Sequence, residues 1–345
     1  MFEFISIKDP HFSFGFSNRV RYDYENDVNK KIDFVKNYLL TNNIKNVIMT
    51  GDIVDSSYED KWSFKKYRVN KRKFQIWQEC ATLHSIVGNH DYFHGFESTD
   101  DTIFGEMEDE GIINNLTKVG IISRKNNKCV VIQGIDYSFV QENVEAKLSN
   151  LNNLENNDPD FFKVAVLHSN VTPKEVDHIT DFTYSYLAET YPDIDMFICG
   201  HYHLGYKTVT LSRPGGKDCT FINNWNFTRV VRDYEVEMGD HTPEFEHVKI
   251  IFNEELNKFQ VLRATIQVPH KPYDETFRAK EVSLLRKTNA EKFNFFDEIN
   301  IENLLADQDL TDEEHIRILN EKRNEKGYQP FSPEVLNKAI EYLNN

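Results

Sequence analysis

Short apolar runs alternate with amphipathic segments through the N-terminal two thirds of the chain. Five of these runs have the length and composition of β-strands, the last four those of buried strands: Phe2–Ile7, Val47–Thr50, Ser85–Val87, Lys163–Leu167 and Met196–Cys199. After the first run, a helical repeat places five apolar residues on one face: Val28, Ile32, Val35, Leu39 and Leu40. This alternation predicts an α/β core with helices packed on the faces of a sheet.

From about residue 205 the pattern becomes mainly β. Four alternating runs follow one another: Tyr206–Leu211, Cys219–Ile222, His247–Phe252 and Phe259–Val268. Beyond residue 270 the pattern predicts helices, because Thr311 and Glu314 form a capping box and Ser332-Pro333 opens a second helix. We therefore predict one domain over residues 1–270 and a short helical C-terminal segment over residues 271–345.

The charge balance narrows the class of protein. The 345 residues include 40 Lys and Arg against 56 Asp and Glu, a net charge of −16, which argues against binding nucleic acid by bulk charge. Four cysteines without close spacing (Cys80, Cys129, Cys199 and Cys219) fit a reducing compartment. With no leader-like N-terminus and no apolar run of roughly 18 residues, we expect a cytoplasmic protein that does not span a membrane.

Polar motifs rich in Asp, Asn and His directly follow five of the predicted strands. They are Asp9-Pro10-His11, Gly51-Asp52, Gly88-Asn89-His90-Asp91, His168 and Gly200-His201-Tyr202-His203. In α/β sheets, ligands bind in the crevice beyond the carboxyl ends of the strands. The sequence therefore predicts that these side chains meet in one crevice, with the glycines allowing the tight turns of a crowded site.

Seven of these residues carry oxygen or imidazole ligands: Asp9, His11, Asp52, Asn89, His168, His201 and His203. Such ligands suit borderline divalent ions such as manganese, iron or zinc, and seven are too many for one ion. Two ions that share a carboxylate would clamp a phosphoryl group and lower the pKa of a bridging water, which becomes a nucleophile. We therefore expect two divalent ions, manganese foremost.

Four of the five motifs, taken alone, also have an ordinary structural explanation, whereas Gly200–His203 indicates a metal site by itself. Asp9-Pro10-His11 and Gly51-Asp52 occur in surface turns, Gly88–Asp91 fits a β-turn with capping residues, and His168 fits a hydrogen-bonded histidine at a strand end. Five such motifs in this order, all at predicted strand ends, favour a shared site.

Together the motifs resemble the calcineurin-like metallophosphoesterase superfamily over roughly residues 1–270. The resemblance implies an α/β fold, a two-sheet β-sandwich flanked by helices, with a binuclear site at one edge. It assigns the first metal to Asp9, His11, Asp52 and His203, and the second to Asp52 as a bridge with Asn89, His168 and His201. No ligand role is left for His90.

His90 is the candidate general acid, because a sugar alkoxide is a poor leaving group that benefits from protonation. We expect the neighbouring Asp91 carboxylate to orient it. His90 as a turn residue or an eighth ligand, and Asp91 as a helix N-cap, are the alternatives.

Secondary features resemble SbcD-type DNA repair nucleases, including those of large phages. These are the first loop with Arg19, Arg21, Asp23 and Asp27, the Gly51–Ser57 stretch and the Cys199–Tyr206 run. The arginine of the protein phosphatases' GD-x-x-D-R-G motif is missing, since Ser56 follows Asp55. The resemblance implies a DNA exo/endonuclease in repair, recombination or replication, with an SbcC-like SMC-type ATPase partner and possible homodimerisation. Asn223–Arg229 matches that family loosely, and the short C-terminal segment leaves little room for its DNA-capping domain.

A local basic stretch, Lys61–Phe74, supports a nucleic-acid substrate independently. It has seven basic residues, no acid and interleaved aromatic rings, which suit phosphates and a frayed base. The predicted DNA contacts are Lys65, Lys66, Arg68, Lys71, Arg72 and Lys73. The alternative is an amphipathic helix with a solvated basic face and its aromatic residues in the core.

The composition of the C-terminal segment indicates contact with a protein partner rather than with DNA. Residues 297–315 hold eight acids and no Lys or Arg, so this part should not touch DNA. Its short amphipathic helices suit docking into a partner's groove, which in the resembled family is the coiled-coil base of the ATPase. Helices packed back on their own core are the alternative. For the whole chain, the rival functions are a stand-alone small-molecule phosphodiesterase or phosphatase, and a non-catalytic interaction protein.

Overall fold

The computed structural model describes residues 2–12, 24–55, 64–93, 97–100, 102–125, 127–154, 161–213, 217–228 and 242–271. Six strands form a first mixed sheet in the order β14-β13-β1-β2-β3-β4. They are β1 (Phe2–Ile7), β2 (Asn46–Met49), β3 (Thr82–Ser85), β4 (Asn114–Asn115), β13 (Glu244–Asn253) and β14 (Lys258–Gln267). Strands β1 to β4 are parallel, whereas β13 is antiparallel to β1 and β14 is antiparallel to β13.

A second mixed sheet has the order β11-β12-β10-β7-β6-β5. Its strands are β5 (Ile121–Lys125), β6 (Lys128–Ile135), β7 (Phe161–Ser169), β10 (Met196–His201), β11 (Tyr206–Ser212) and β12 (Asp218–Asn223). The four central strands are parallel and the two edge strands antiparallel to their neighbours. Two short strands, β8 (Val171–Thr172) and β9 (Phe182–Thr183), pair separately.

The described helices cover the outer faces of the two sheets. They are α1 (Tyr24–Asn42), α2 (Phe64–Gln78), α3 (Ile103–Asp109), α4 (Gln141–Asn152) and α5 (Tyr184–Thr190). Helices α1, α2 and α3 pack on the first sheet, and α4 and α5 on the second. A third core fills the space between the sheets. The predicted α/β fold, two sheets flanked by helices, is confirmed.

Strand β10 shows why the sequence produces continuous apolar runs here. Met196 and Ile198 point into the core between the sheets, while Phe197 and Cys199 point toward the helices. Both faces of a central parallel strand are therefore buried, and no position needs to be polar until the strand ends.

Strands β4, β5, β6, β8 and β9 are not among the predicted runs, whereas the elements that were predicted differ from the observed ones only locally. Leu40, which we placed on the buried face of α1, is 54% exposed. It lies outside the face of the helix that buries Val28, Ile32, Val35 and Leu39. Strand β3 lies at Thr82–Ser85, slightly before the predicted run, so that Ile86 and Val87 extend toward the following motif.

The predicted helices after residue 271 lie outside the described residues. The four cysteines are described and unpaired by disulfides. Within the described ranges, no helix is long and apolar enough to cross a membrane.

His84 on β3 is a buried histidine whose two ring nitrogens have no hydrogen-bond partner. Burial lowers its pKa to about 4, below the value of an unfolded histidine. As the pH falls, His84 therefore binds a proton at a higher pH in the unfolded chain than in the folded protein. The folded state loses stability as the pH falls from 6.5 to about 4.

We predict that acidification from pH 7.5 to pH 5 destabilises the wild type by about 2 kcal/mol more than the His84→Leu variant. Urea unfolding of both proteins at the two pH values measures the difference. Equal losses in the two proteins would show that His84 does not titrate on unfolding.

Candidate metal centre

The strand ends of both sheets meet at one edge of the sandwich. The first sheet supplies Asp9 and His11 after β1, Asp52 after β2 and Asn89 after β3. The second sheet supplies three histidines. His168 and His201 lie at the C-terminal ends of β7 and β10, and His203 follows β10. The structure thus brings all seven predicted ligands together, which is the convergence expected at the carboxyl ends of the strands.

One group of potential ligands is formed by Asp9, His11 and His203, all buried, with one ligand atom of each within 4.8 Å of the others. The Nε2 atoms of His11 and His203 are 3.1 Å apart. The backbone N–H of His201 donates to Asp9 Oδ2 at 2.8 Å, which ties this group to the second sheet.

A second group is formed by Asp52, His168 and His201. His168 Nε2 lies 3.2 Å from His201 Nδ1, 3.2 Å from Asn89 Oδ1 and 3.3 Å from Asp52 Oδ2. One imidazole nitrogen cannot form a hydrogen bond with all three atoms. Lone pairs that converge in this way are the arrangement of ligands around a cation.

Asp52 lies between the two groups. Its Oδ2 is 3.4 Å from His11 Nε2 on one side and 3.3 Å from His168 Nε2 on the other. The side chain is 1% exposed, and Oδ2 has no hydrogen-bond partner. A buried carboxylate oxygen left in this state fits a bridging ligand, so the residues present fit two divalent ions.

Backbone contacts fix the orientation of His168. Its Nδ1 is 2.6 Å from the carbonyl oxygen of Thr50, which can only accept a hydrogen bond. Nδ1 therefore carries the proton in the neutral ring, and the lone pair of Nε2 faces the other ligands.

Four of the predicted ligands have a left-handed backbone. The φ angles are 38° at Asp9, 43° at His11, 46° at Asp52 and 79° at His201. This conformation is costly for residues other than glycine and is concentrated at functional sites. It turns the chain sharply after each strand and directs the side chains back over the strand end.

Glycines at the site permit close approach. A Cβ atom on Gly88 would lie 2.1 Å from Asp52 Oδ1, and one on Gly200 would lie 2.5 Å from Asp9 Oδ1. Only Gly51, at φ +91°, needs the conformational freedom that the sequence predicted for all three.

The charges at the site favour a cation. Burial alone would raise the pKa of Asp52, but the neighbouring histidines, chiefly His168, hold it well below its ordinary value. Burial would lower the pKa of His168, but Asp52 and Asp9 raise it to about 9. A cluster that stabilises positive charge so strongly suits divalent ions, which displace protons from histidine when they bind.

His90 lies beside the first group of ligands. It forms a third set with His11 and Asp52 within 4.8 Å, and its ring is 5.0 Å from the His11 ring. Its backbone N–H donates to Asp52 Oδ1 at 2.9 Å, and its Nδ1 is 2.7 Å from the carbonyl oxygen of Asp55. The orienting contact to Nδ1 therefore comes from a backbone carbonyl.

The carboxylate of Asp91 binds backbone groups, and its role in orienting His90 stays a prediction. Its two carboxylate oxygens accept hydrogen bonds from the backbone N–H of Ile53 and of Gly88, at 3.0 and 2.9 Å. It is fully buried, and burial with the nearby Asp52 charge raises its pKa well above the ordinary value. Asp91 thus joins the Asp52 loop to the Asn89 loop and acts on the ligand geometry through the backbone.

The described part of the basic stretch, residues 64–74, lies in α2, and a helix was the alternative interpretation of this stretch. Lys73 is 3% exposed, lies 2.9 Å from Glu25 Oε1 and sits over the Phe12 ring, which corrects its predicted DNA contact. Lys71 pairs with Glu110. Arg68 and Arg72 are exposed, and the side chains of Lys65 and Lys66 lie outside the described part.

Two residues that sequence reasoning missed hold the site together. Lys8 is buried, and its Nζ donates to the carbonyl oxygen of Tyr202 at 2.5 Å and to Asn223 Oδ1 at 2.6 Å. The hydroxyl of Thr50 donates to Asp9 Oδ1 at 2.7 Å. The sequence signal for Lys8 was its position, a lysine between the end of the predicted strand at Ile7 and the candidate ligand Asp9.

Comparison with known proteins agrees with this geometry. Residues 9–205 match the family described as calcineurin-like phosphoesterase, and the chain belongs to this family. The matched stretch contains all seven candidate ligands. Members of the family bind two divalent metal ions, and the chain is a metal-dependent hydrolase of phosphoesters.

No curated protein matches the chain in sequence. Among solved structures, NAD nucleotidase of Haemophilus influenzae is 12% identical with a TM-score of 0.45, over 85% of this chain and 68% of that one. A putative 5′-nucleotidase from Staphylococcus aureus is 13% identical (TM-score 0.47; 78% and 54% covered). The calcineurin-like phosphoesterase YfkN from Bacillus subtilis is also 13% identical (TM-score 0.46; 77% and 90% covered). Similarity at this level carries no information about the substrate.

We predict that Gly88→Ala weakens manganese binding by about tenfold or more, because the new methyl group displaces Asp52. Gly111→Ala is the matched control. Its Cβ would meet no atom within 4 Å, and the positive φ costs about 1 kcal/mol of stability without reaching the site. Titration calorimetry measures both variants, and equal affinities would contradict the steric argument.

Proposed function

We propose that this hydrolase is a binuclear phosphodiesterase that cleaves nucleic acid, with manganese as its metal. The observation that carries the proposal is the position of Asp52 between two sets of ligands, with His90 beside them. Asp9, His11, Asp52 and His203 would hold one ion, and Asp52, Asn89, His168 and His201 the other. Two divalent ions in such a site polarise a phosphoryl oxygen and lower the pKa of a water molecule.

His90 is the residue that protonates the leaving oxygen. A phosphodiester releases an alkoxide, which departs more easily when a positioned acid supplies a proton. The contact between His90 Nδ1 and the Asp55 carbonyl fixes the ring and leaves Nε2 as the atom that delivers the proton. Asp91 keeps the loop of His90 and the loop of Asp52 in register through its two backbone hydrogen bonds.

Two features support a nucleic-acid substrate. The first is the sequence resemblance to SbcD-type nucleases, which also suggests a role in DNA repair or recombination with an SbcC-like ATPase. The second is α2, which carries the exposed Arg68 and Arg72 and packs through Phe74 behind the Phe12 side chain next to His11. Exposed arginines on this helix can bind the backbone phosphates of a nucleic acid.

A second candidate function is a phosphodiesterase of small molecules. Of the four predicted DNA contacts whose side chains are described, Lys71 and Lys73 form ion pairs within the protein. Their charge is therefore largely compensated, which reduces the electrostatic attraction of α2 for DNA.

We predict that His90→Asn lowers kcat for DNA cleavage by about 100-fold or more, because the sugar alkoxide leaves slowly without a proton, and leaves manganese binding unchanged. With bis-p-nitrophenyl phosphate the loss should be much smaller, because 4-nitrophenolate is a stable anion that leaves without protonation. Asparagine retains the backbone N–H that bonds Asp52, so the ligands stay in place. Asp52→Ala should lose both binding and turnover. Loss of manganese from His90→Asn would identify His90 as an eighth ligand, and full activity would remove it from the mechanism.

We predict that the purified protein with manganese degrades end-labelled linear duplex DNA. An Arg68→Ala/Arg72→Ala double variant should cleave DNA about tenfold more slowly at low salt, because two phosphate contacts are lost, and hydrolyse bis-p-nitrophenyl phosphate at the wild-type rate. Lys71→Ala is the control from the same helix, because the side chain of Lys71 is partly buried whereas those of Arg68 and Arg72 are exposed. Intact DNA beside rapid hydrolysis of the small diester would favour the second candidate.

A further inference from the structure

Two aromatic rings form a shelf beside the second set of ligands. The Tyr137 ring centroid is 5.2 Å from the His201 ring and 6.1 Å from the His168 ring. The Phe139 ring lies edge-on against Tyr137, with 5.2 Å between centroids and an angle of 88° between planes. We call Tyr137 and Phe139 the aromatic shelf.

The outer ring of the shelf is exposed but its backbone is fixed. Phe139 is 56% exposed. Its backbone N–H donates to Glu97 Oε1 at 2.7 Å, and the Ser138 hydroxyl donates to the same oxygen at 2.7 Å. The Ser138 Oγ in turn accepts from the backbone N–H of Val140 at 3.2 Å. Three hydrogen bonds thus hold the backbone of residues 138–140, and the Phe139 side chain of this segment is exposed to solvent.

The inner ring is tied to the loop that carries Asn89. The backbone N–H of Tyr137 donates to the carbonyl oxygen of Val87 at 2.9 Å, and its own carbonyl accepts from the Tyr92 hydroxyl at 2.9 Å. Asp136, the residue before Tyr137, accepts from the backbone N–H of Val87 at 2.8 Å. The shelf and this ligand loop therefore form one hydrogen-bonded unit.

An exposed phenylalanine contributes little to the core, and a single exposed apolar side chain alone needs no explanation. Here the exposed ring belongs to a hydrogen-bonded backbone segment and packs against Tyr137, whose ring contacts the candidate ligand His201. A pre-organised aromatic face next to a phosphoester site suits stacking with a planar group, which is favourable for any base because every base has a π face.

We propose that the aromatic shelf is a subsite that stacks on the nucleobase next to the scissile phosphate. A nucleobase is separated from its 5′ phosphate by one sugar, so a base on the shelf and a phosphate at the ligands belong to the same nucleotide. The subsite rests on the proposed function, since it requires a phosphoester substrate at the metal centre. It applies equally to an oligonucleotide and to a small nucleotide ester.

The test compares two esters with the same leaving group, thymidine 5′-(4-nitrophenyl phosphate) and methyl 4-nitrophenyl phosphate, with manganese. Phe139→Ala should raise KM for the thymidine ester about tenfold and leave kcat and the methyl ester unchanged. Phe139→Tyr, which keeps the ring, should behave as the wild type. Ile122→Ala is the control for loss of an apolar side chain, because Ile122 is 61% exposed on strand β5 of the second sheet.

A binding measurement gives a second readout. Phe139→Ala should weaken the binding of thymidine 5′-monophosphate by about tenfold in calorimetry and leave that of methyl phosphate unchanged. If Phe139→Ala alters neither ester, or both equally, the shelf is not a base subsite although the phosphodiesterase function stands. If the wild type hydrolyses neither ester, the proposed function fails and the subsite fails with it.

Discussion

The structure depends on a buried carboxylate, that of Asp52, held between histidines from two different sheets. His11 follows a strand of the first sheet and His168 ends a strand of the second, and their Nε2 atoms lie within 3.4 Å of the same oxygen of Asp52. A carboxylate in such a place needs compensating positive charge, because burial removes its solvation by water. The two sheets must therefore pack in one relative position, in which both histidines reach Asp52 and either supply that positive charge or bind a cation together with the carboxylate.

The geometry of the ligands is maintained by strained backbone and close packing. Asp9, His11, Asp52 and His201 adopt left-handed conformations that cost about 1–3 kcal/mol each. The surrounding groups that hold them include Lys8, which bonds the loop after His201 while its neighbour Asp9 accepts from the His201 backbone. The burial of the three apolar cores thus offsets the free-energy cost of this backbone strain, which holds the ligands in place.

The basic stretch shows how local composition and tertiary structure diverge. Seven basic residues in a stretch that contains no acid predict an uncompensated positive surface. In the fold, Glu25 from α1 and Glu110 after α3 reach Lys73 and Lys71, and Phe74 joins the core. Ion pairs between residues distant in sequence are invisible to a window of the chain, so charge in a window overstates the charge on a surface.

The sequence by itself determined the fold class, most strands and the convergence of the seven candidate ligands, because apolar runs that end in Asp, Asn or His place those groups at one edge of a sheet. Only the tertiary structure decided the contacts across elements: Asp91 binds the backbone of Ile53, Lys73 is buried, and Tyr137 lies beside His201 with Phe139 against it. Strand patterns follow from local burial and periodicity, whereas these contacts depend on distances between loops that are set when the two sheets pack together.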